Sequence, residues 1–260
     1  MEPNAFIKEV YSRMSQRHSA EQPSPAWEEF KKDAKVIQSC HQYKSVLPEN
    51  KDAAIIDIGT GDGWFIAACL SLGYTNVEGA DFNTINKGYM KKWSPSLKGL
   101  HEIETNIGDF LSKKPGHYDF IHMSHVIEHI PKYSLLWVTD ALYYALKVDG
   151  TLFLRCPNME GACPESVLYV TMAHEYAFAG SNLYSLLDLC NFEEIDFVKF
   201  RTMNTSIKQV IGKIARVGLE KWMAVKNRLA GVNMGGQYGG ELIIKGKRGN
   251  RPPLFNEKYR

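Results

Sequence analysis

From residue 53 onward the chain alternates short apolar runs with stretches of helical spacing. Ala54–Ile58 is a short apolar run ending in a glycine-rich turn, and Gly63–Leu72 follows as a helix. Asn76–Asp81 reads as a strand, Thr84–Trp93 as a helix and Ile103–Asn106 as a weak strand. Tyr118–Met123 reads as a strand, Ser134–Leu146 as a helix, and Thr151–Cys156 as a strand after the Asp149-Gly150 turn. Leu183–Cys190 reads as a helix and Glu194–Phe200 as a strand. Strands alternating with helices over short connections predict an α/β fold, a parallel sheet covered on both faces.

The two ends break this rhythm. Residues 1–50 are polar, and Pro23 and Pro25 divide them into two helices, the second spanning Trp27–Leu47 with apolar residues at Trp27, Phe30, Ala34, Ile37 and Val46. Residues 202–235 hold two helix-like stretches, followed by a glycine-rich turn from Gly231 to Gly240 and a last strand at Glu241–Lys245. The expected organisation is an N-terminal helical cap (1–50), an α/β domain (51–247) with a helical insertion (202–235), and a loose tail (248–260) carrying Pro252 and Pro253.

Composition narrows the partners only slightly. With 44% hydrophobic residues in 260, the chain can bury one sizeable core. A net charge of +2 is too small for the overall field to name a partner. The five cysteines, Cys40, Cys69, Cys156, Cys163 and Cys190, form no CxxC pair, and their odd number suits reduced thiols in a cytoplasm. Met1–Lys8 has no apolar run of the signal-peptide kind, and no window is apolar enough for a membrane span.

Chemistry concentrates at Asp57-Ile58-Gly59-Thr60-Gly61-Asp62-Gly63, between a strand and a helix. Glycines there let the backbone turn tightly and approach a ligand. The spacing is GxGxG rather than the GxGxxG of dinucleotide sites, and Trp64 occupies the place of the third dinucleotide glycine. No Gly-Lys-Ser/Thr follows, which excludes a P-loop. The second strand ends at Asp81, where an acid can accept both hydroxyls of a ribose. Asp57 and Asp62 would repel a pyrophosphate but not a ligand bearing a sulfonium and an amino group.

The DIGTGDG turn resembles the first motif of class I S-adenosylmethionine-dependent methyltransferases, and Asp81 resembles their acid at the end of the second strand. Gly108-Asp109-Phe110 is similar to their adenine-contacting segment, and Met123–Ile130 to the signature after the fourth strand. His174-Glu175-Tyr176-Ala177-Phe178, with Ser181 and Leu183–Phe192, is similar to a segment of the subgroup acting on sugars and surface-polysaccharide precursors, Asn191 standing where glycine is usual. The resemblance implies a Rossmann-like doubly wound sheet with an antiparallel last strand. It implies S-adenosyl-L-methionine held by Asp57, Gly59, Thr60, Gly61, Gly63, Asp81, Phe82, Asp109, Phe110 and Ser124. The implied acceptor is a sugar or other small molecule, and the implied chemistry O-methylation; N- or C-methylation of a small metabolite and a non-catalytic adenosyl-binding role are the alternatives.

Methyl transfer is an in-line displacement, so alignment and desolvation dominate, and an alcohol acceptor must also lose a proton. His174 and His125 are the candidate bases, near the expected acceptor; His122 has no such context. His125-x-x-Glu128-His129 matches the inverted zinc-protease pattern, but that chemistry needs a continuous helix and a third ligand. Pro131 shortens any helix there, so no metal is expected and Glu128 reads as a loop-fixing acid. Tyr11, Trp27, Trp64 and Phe82 are candidate adenosyl clamps, and Tyr11, Arg13 and Arg17 a candidate lid. No Asn/Asp-Pro-Pro-Tyr/Phe tetrapeptide follows the fourth strand, so nucleic acid is not an expected acceptor. Between Val198 and Ala230 the basic residues Lys199, Arg201, Lys208, Lys213, Arg216, Lys221, Lys226 and Arg228 face one acid, Glu220. Such an amphipathic basic segment suits a phosphate-bearing acceptor or an anionic membrane surface, the alternative being a helical cover whose charged face is merely solvated.

Overall fold

The structure is a computed structural model that describes residues 9–10, 13, 26–82, 97–103, 106–200, 207–231 and 237–254. The helix expected at Thr84–Trp93 and the lid residues Tyr11 and Arg17 lie outside the described residues. Among the described residues, seven strands make one sheet: β1 (Ile55–Ile58), β2 (Val77–Asp81), β3 (Gly99–Glu102), β4 (Tyr118–Ser124), β5 (Leu146–Pro157), β6 (Phe192–Phe197) and β7 (Glu241–Arg248), in the order β3-β2-β1-β4-β5-β7-β6. All neighbours are parallel except β7, which runs antiparallel to both β5 and β6. The expected Rossmann-like sheet with an antiparallel last strand is therefore what forms.

Strand period divides the apolar runs between two cores. In β1, β4 and β5, Ile56, Ile58, Ile121, Met123, Leu152 and Leu154 face one side, and Ile55, Phe120 and Phe153 the other. The first side is covered by α5 (Leu135–Ala145) and α7 (Gly180–Leu189); the second by α2 (Ala34–Tyr43) and α3 (Trp64–Ser71). All four residues of β1 are buried, as a strand between two helical layers requires. The chain order reverses direction between β1 and β4, so a crevice opens at the carboxyl ends of these two strands, the usual ligand position in open α/β sheets.

Several boundaries differ from the sequence expectation, each for a local reason. The helix expected over Trp27–Leu47 is two pieces, α1 (Trp27–Phe30) and α2, because Asp33 caps α2 by accepting from the Lys35 amide and starts it afresh. The third strand forms at Gly99–Glu102, not Ile103–Asn106, since the Asn106 side chain instead caps α4 (Ile107–Leu111). Strand β5 starts before the Asp149-Gly150 turn, which survives as Asp149 at φ 63° and a register shift against β4. Strand β6 begins at Phe192 because Asn191, at φ 65°, ends the preceding helical segment; asparagine tolerates the left-handed region that glycine would otherwise serve. A short α6 (Pro164–Tyr169) precedes α7. Among its described residues the insertion holds one long helix, α8 (Ile207–Leu229), rather than two stretches. Strand β7 runs on to Arg248, and the residues after it are pinned: Tyr143 Oη donates to the carbonyls of Gly249 and Arg251.

Candidate active site

The turn after β1 carries the site. Its amides hold it shut: Gly59 N donates to Ala80 O at 2.7 Å, and Gly63 N to Thr60 O at 2.7 Å. Gly59, Gly61 and Gly63 all take positive φ, at 76°, 48° and 76°. Gly59 could not bear a side chain even without that angle, because a Cβ would lie 2.2 Å from Val126 Cγ2 in the loop after β4. At Gly61 a Cβ would meet nothing within 4 Å, so that side of the turn faces open space. Asp81, at the end of β2, accepts from Gly61 N at 3.0 Å and from Thr60 Oγ1 at 3.3 Å. The acid thus sits where the turn and the second strand meet.

The other donor-binding candidates sort by position. Asp57 is one residue below the turn, and its carboxylate is buried with its Oδ1 2.6 Å from His122 Nδ1 on β4. His122 Nε2 lies 2.9 Å from Tyr43 Oη, and Phe65 stacks on the imidazole at 3.8 Å. Burial pushes the Asp57 carboxyl up, with His122 pulling it back. Asp57 is engaged beneath the sheet, whereas Gly59, Thr60, Gly61, Gly63 and Asp81 share the rim. Asp109 lies in the first turn of α4, where Asn106 Nδ2 donates to its Oδ2 at 2.7 Å and its own amide donates to Asn106 Oδ1. Phe82 and Phe110 are half-buried against the larger core, and Ser124 closes β4 at the rim. Trp64 stacks on Phe30 at 4.9 Å with Lys35 over its face, so this clamp candidate is committed to the α1–α2 layer.

A second polar group lies beyond β4. His125 adopts φ 55° and points its two nitrogens at two acids: Nε2 is 3.0 Å from Glu241 Oε1, and Nδ1 3.4 Å from Glu128 Oε1. Glu128 and Glu241 together raise its pKa to about 9. Arg155 donates twice to Glu241 Oε2, at 3.0 and 2.6 Å. Burial opposes ionisation of Glu241, but His125 and Arg155 hold it at about 2. Residues Ile127–His129 form a single 3₁₀ turn, not a continuous helix. The segment of His174 docks on that turn, because the amides of Glu175 and Tyr176 both donate to the Glu128 carbonyl. His174 and His129 then face one another with ring centroids 4.8 Å apart. Burial lowers the pKa of His129, whose Nδ1 donates to Ala173 O.

Sequence reasoning named His125, His174 and the glycine turn, and they stand at the carboxyl edge of the sheet. It missed Tyr43, His122, Arg155 and Glu241. A histidine inside the apolar run Phe120–Met123 was a signal for His122, since a buried imidazole demands a partner. Nothing local marked Glu241, which reaches His125 only through the antiparallel return of β7.

A GxGxG turn with an acid one strand away, at the carboxyl edge of a sheet of this order, has the form of a ligand site of the doubly wound class. The chain belongs to the methyltransferase domain family, whose model matches residues 30–197. It is a methyltransferase. No curated protein matches its sequence. A methyltransferase of Archaeoglobus fulgidus shares the fold at TM-score 0.57 and 18% identity, over 85% of this chain and 97% of its own. One from Thermotoga maritima does so at 0.56 and 16%, over 93% and 99%. The phosphoethanolamine N-methyltransferase 2 of Haemonchus contortus, solved with S-adenosyl-L-methionine, matches at 0.54 and 16%, over 82% of this chain but only 53% of its own.

Proposed function

We propose that the chain O-methylates a sugar or phosphate-bearing precursor of a surface polysaccharide. The observation that carries this reading is the arrangement of His125, Glu128, His129 and His174 just past β4, next to Val126, which packs on the glycine turn. S-adenosyl-L-methionine supplies an electrophilic methyl on a sulfonium. The open side of the turn at Gly61 and the carboxylate of Asp81, which the Gly61 amide orients, are a fitting cradle with a ribose acceptor in place. Gly59, Thr60, Gly61, Gly63 and Asp81 hold the donor, with Phe82, Asp109, Phe110 and Ser124 around it; Asp57 acts through His122 by stiffening β1 against β4.

With a pKa near 9, His125 is an imidazolium at neutral pH and a poor proton acceptor. We therefore assign it the orientation of the acceptor, and place the loss of the acceptor's proton beside the Glu128–His129–His174 group. An imidazolium at the acceptor side disfavours a protonated amine, which weighs against N-methylation. The five free thiols suit a reducing compartment, and we assign the enzyme to the cytoplasm.

Helix α8 supports a surface-bound acceptor. Ile214, Trp222 and Leu229 are exposed by 68%, 60% and 83%, and Met223 is the one buried side chain among those described on this helix. No helix among the described residues is long and apolar enough to cross a membrane. A basic helix with an uncovered apolar side suits an anionic interface where lipid-linked precursors gather. The direct experiment incubates the protein with methyl-labelled donor and fractionated cell-envelope precursors. Label in a saccharide fraction, stable as a methyl ether, is the expected result; label only in amines or quinone precursors overturns the proposal.

A further inference from the structure

We infer that Glu128, His129 and His174 form a binding site for a divalent transition-metal cation, zinc by ligand chemistry. The sequence pattern around Glu128 fell short of a metal site because it lacked a continuous helix and a third ligand. Folding supplies that ligand from 45 residues away in the chain, as the hydrogen bonds from Glu175 and Tyr176 to the Glu128 carbonyl carry His174 onto the 3₁₀ turn.

Three observations point to a cation. First, one ligand atom from each of the three residues lies within 4.8 Å of the others. Metal–ligand bonds of about 2.0–2.2 Å hold such atoms about 3.3 Å apart, so closure needs side-chain shifts of roughly 1 Å or less. Second, the Glu128 side chain is 2% exposed and is balanced on one side only: His125 Nδ1 lies 3.4 Å from Oε1, while Oε2 has no hydrogen-bond partner among the described residues. A buried carboxylate oxygen left without a partner is costly, and a coordinated cation removes that cost. Third, both histidines have their tautomer set from outside the cluster. His129 Nδ1 donates to Ala173 O at 2.7 Å, and His174 Nδ1 donates to Val167 O. A carbonyl only accepts, so in each neutral ring the proton sits on Nδ1 and the basic lone pair on Nε2, the usual outer-sphere arrangement of metal-binding histidines.

Two imidazoles and one carboxylate select a borderline ion such as zinc over magnesium or calcium, which prefer all-oxygen shells. Three protein ligands leave a coordination position open, as catalytic sites do. Resting on the O-methylation reading, that position takes the acceptor hydroxyl. Coordination lowers its pKa, the proton leaves to solvent, and the oxygen forms the new O–C bond as the C–S bond of the donor breaks, giving a methyl ether and S-adenosylhomocysteine.

The test measures metal binding without donor or acceptor. The full chain, with exposed Cys163 changed to Ser, is stripped by chelator and titrated with Zn²⁺, and separately with Co²⁺ to record its visible d–d bands. The expected result is one equivalent bound with micromolar or tighter affinity. Glu128→Gln and His174→Ala should each weaken it by about 100-fold or more while S-adenosylhomocysteine binding and the circular dichroism spectrum are retained. Less than one equivalent in the parent chain, or equal affinity in parent and variants, overturns the site. If Glu128→Gln does not fold, His174→Ala alone decides, since His174 lies in a loop. Metal binding intact with no methyl transfer to any hydroxyl acceptor would instead overturn the O-methylation reading and leave the site standing.

Discussion

Gly61 donates its amide hydrogen to Asp81 Oδ2 over 3.0 Å, so the end of β2 grips the turn that follows β1. In the proposed donor site the same carboxylate would serve the ribose, which makes that site a product of two strands rather than of one loop. Asp81→Ala should raise the dissociation constant of S-adenosylhomocysteine about 100-fold, as loss of two hydrogen bonds to a charged group implies. Isothermal titration calorimetry measures it. Affinity within threefold of the parent chain would remove Asp81 from the donor site.

Gly59 offers a test of the turn itself. At φ 76° an alanine is strained, and its Cβ would overlap Val126 Cγ2. Gly59→Ala should lower stability by about 1–3 kcal/mol. Adding Val126→Ala should restore only part, because it removes the overlap and leaves the backbone angle. Thermal melts of the three variants separate the two contributions; full recovery in the double variant would mean that the angle costs nothing.

Asp57 and His122 make opposite forecasts for stability and binding. If the pair is a brace, Asp57→Ala leaves His122 buried without its partner and should cost about 3–5 kcal/mol in urea unfolding. Donor affinity, corrected for the folded fraction, should change little. A variant of unaltered stability that no longer binds S-adenosylhomocysteine would show that Asp57 is a ligand contact after all.

Glu78 gives the fold an acid-sensitive clasp. His101 is the main cause of its low pKa; burial opposes, and Tyr118 and Lys114 assist, leaving the carboxyl near 2 against an ordinary 4.5. A carboxyl whose folded pKa is depressed contributes stability that is present above its unfolded pKa and is lost as pH falls through the window down to the folded value. Between about pH 5 and pH 2, the parent chain should lose up to about 3 kcal/mol through this group. Glu78→Gln should be less stable at neutral pH and should show a flatter decline in acid. Parallel stability curves for the two proteins would refute the clasp.

The fold was legible in the chain because the apolar runs of β1, β4 and β5 are short, continuous and spaced by helical segments. Those runs need no partner to be recognised. Boundaries were less legible where side chains decide them: Asp33 and Asn106 each restart a helix by capping, and capping is invisible to hydrophobic periodicity. The glycine turn and Asp81 were readable because backbone conformation and strand ends constrain residue type locally. Glu241 and Tyr43 were not, since each meets its partner across the sheet, 116 residues from His125 and 79 from His122 respectively. Asp57 shows the converse case, where a motif position visible in sequence turns its side chain to a neighbour that the motif does not mention.

The place of β7 orders how this molecule can assemble. Strand β6 pairs only with β7, and β7 is inserted between β5 and β6 although it is the last strand in the chain. A growing chain can close β1 through β5 early, but β6 lacks its native neighbour until Glu241–Arg248 has arrived. The same event delivers Glu241 to His125 and Arg155, so the proposed acceptor side acquires its charge pattern only when the sheet is complete. Nascent chains that end before Glu241 should therefore expose the edge of β5, and a site able to orient an acceptor appears together with the finished fold rather than ahead of it.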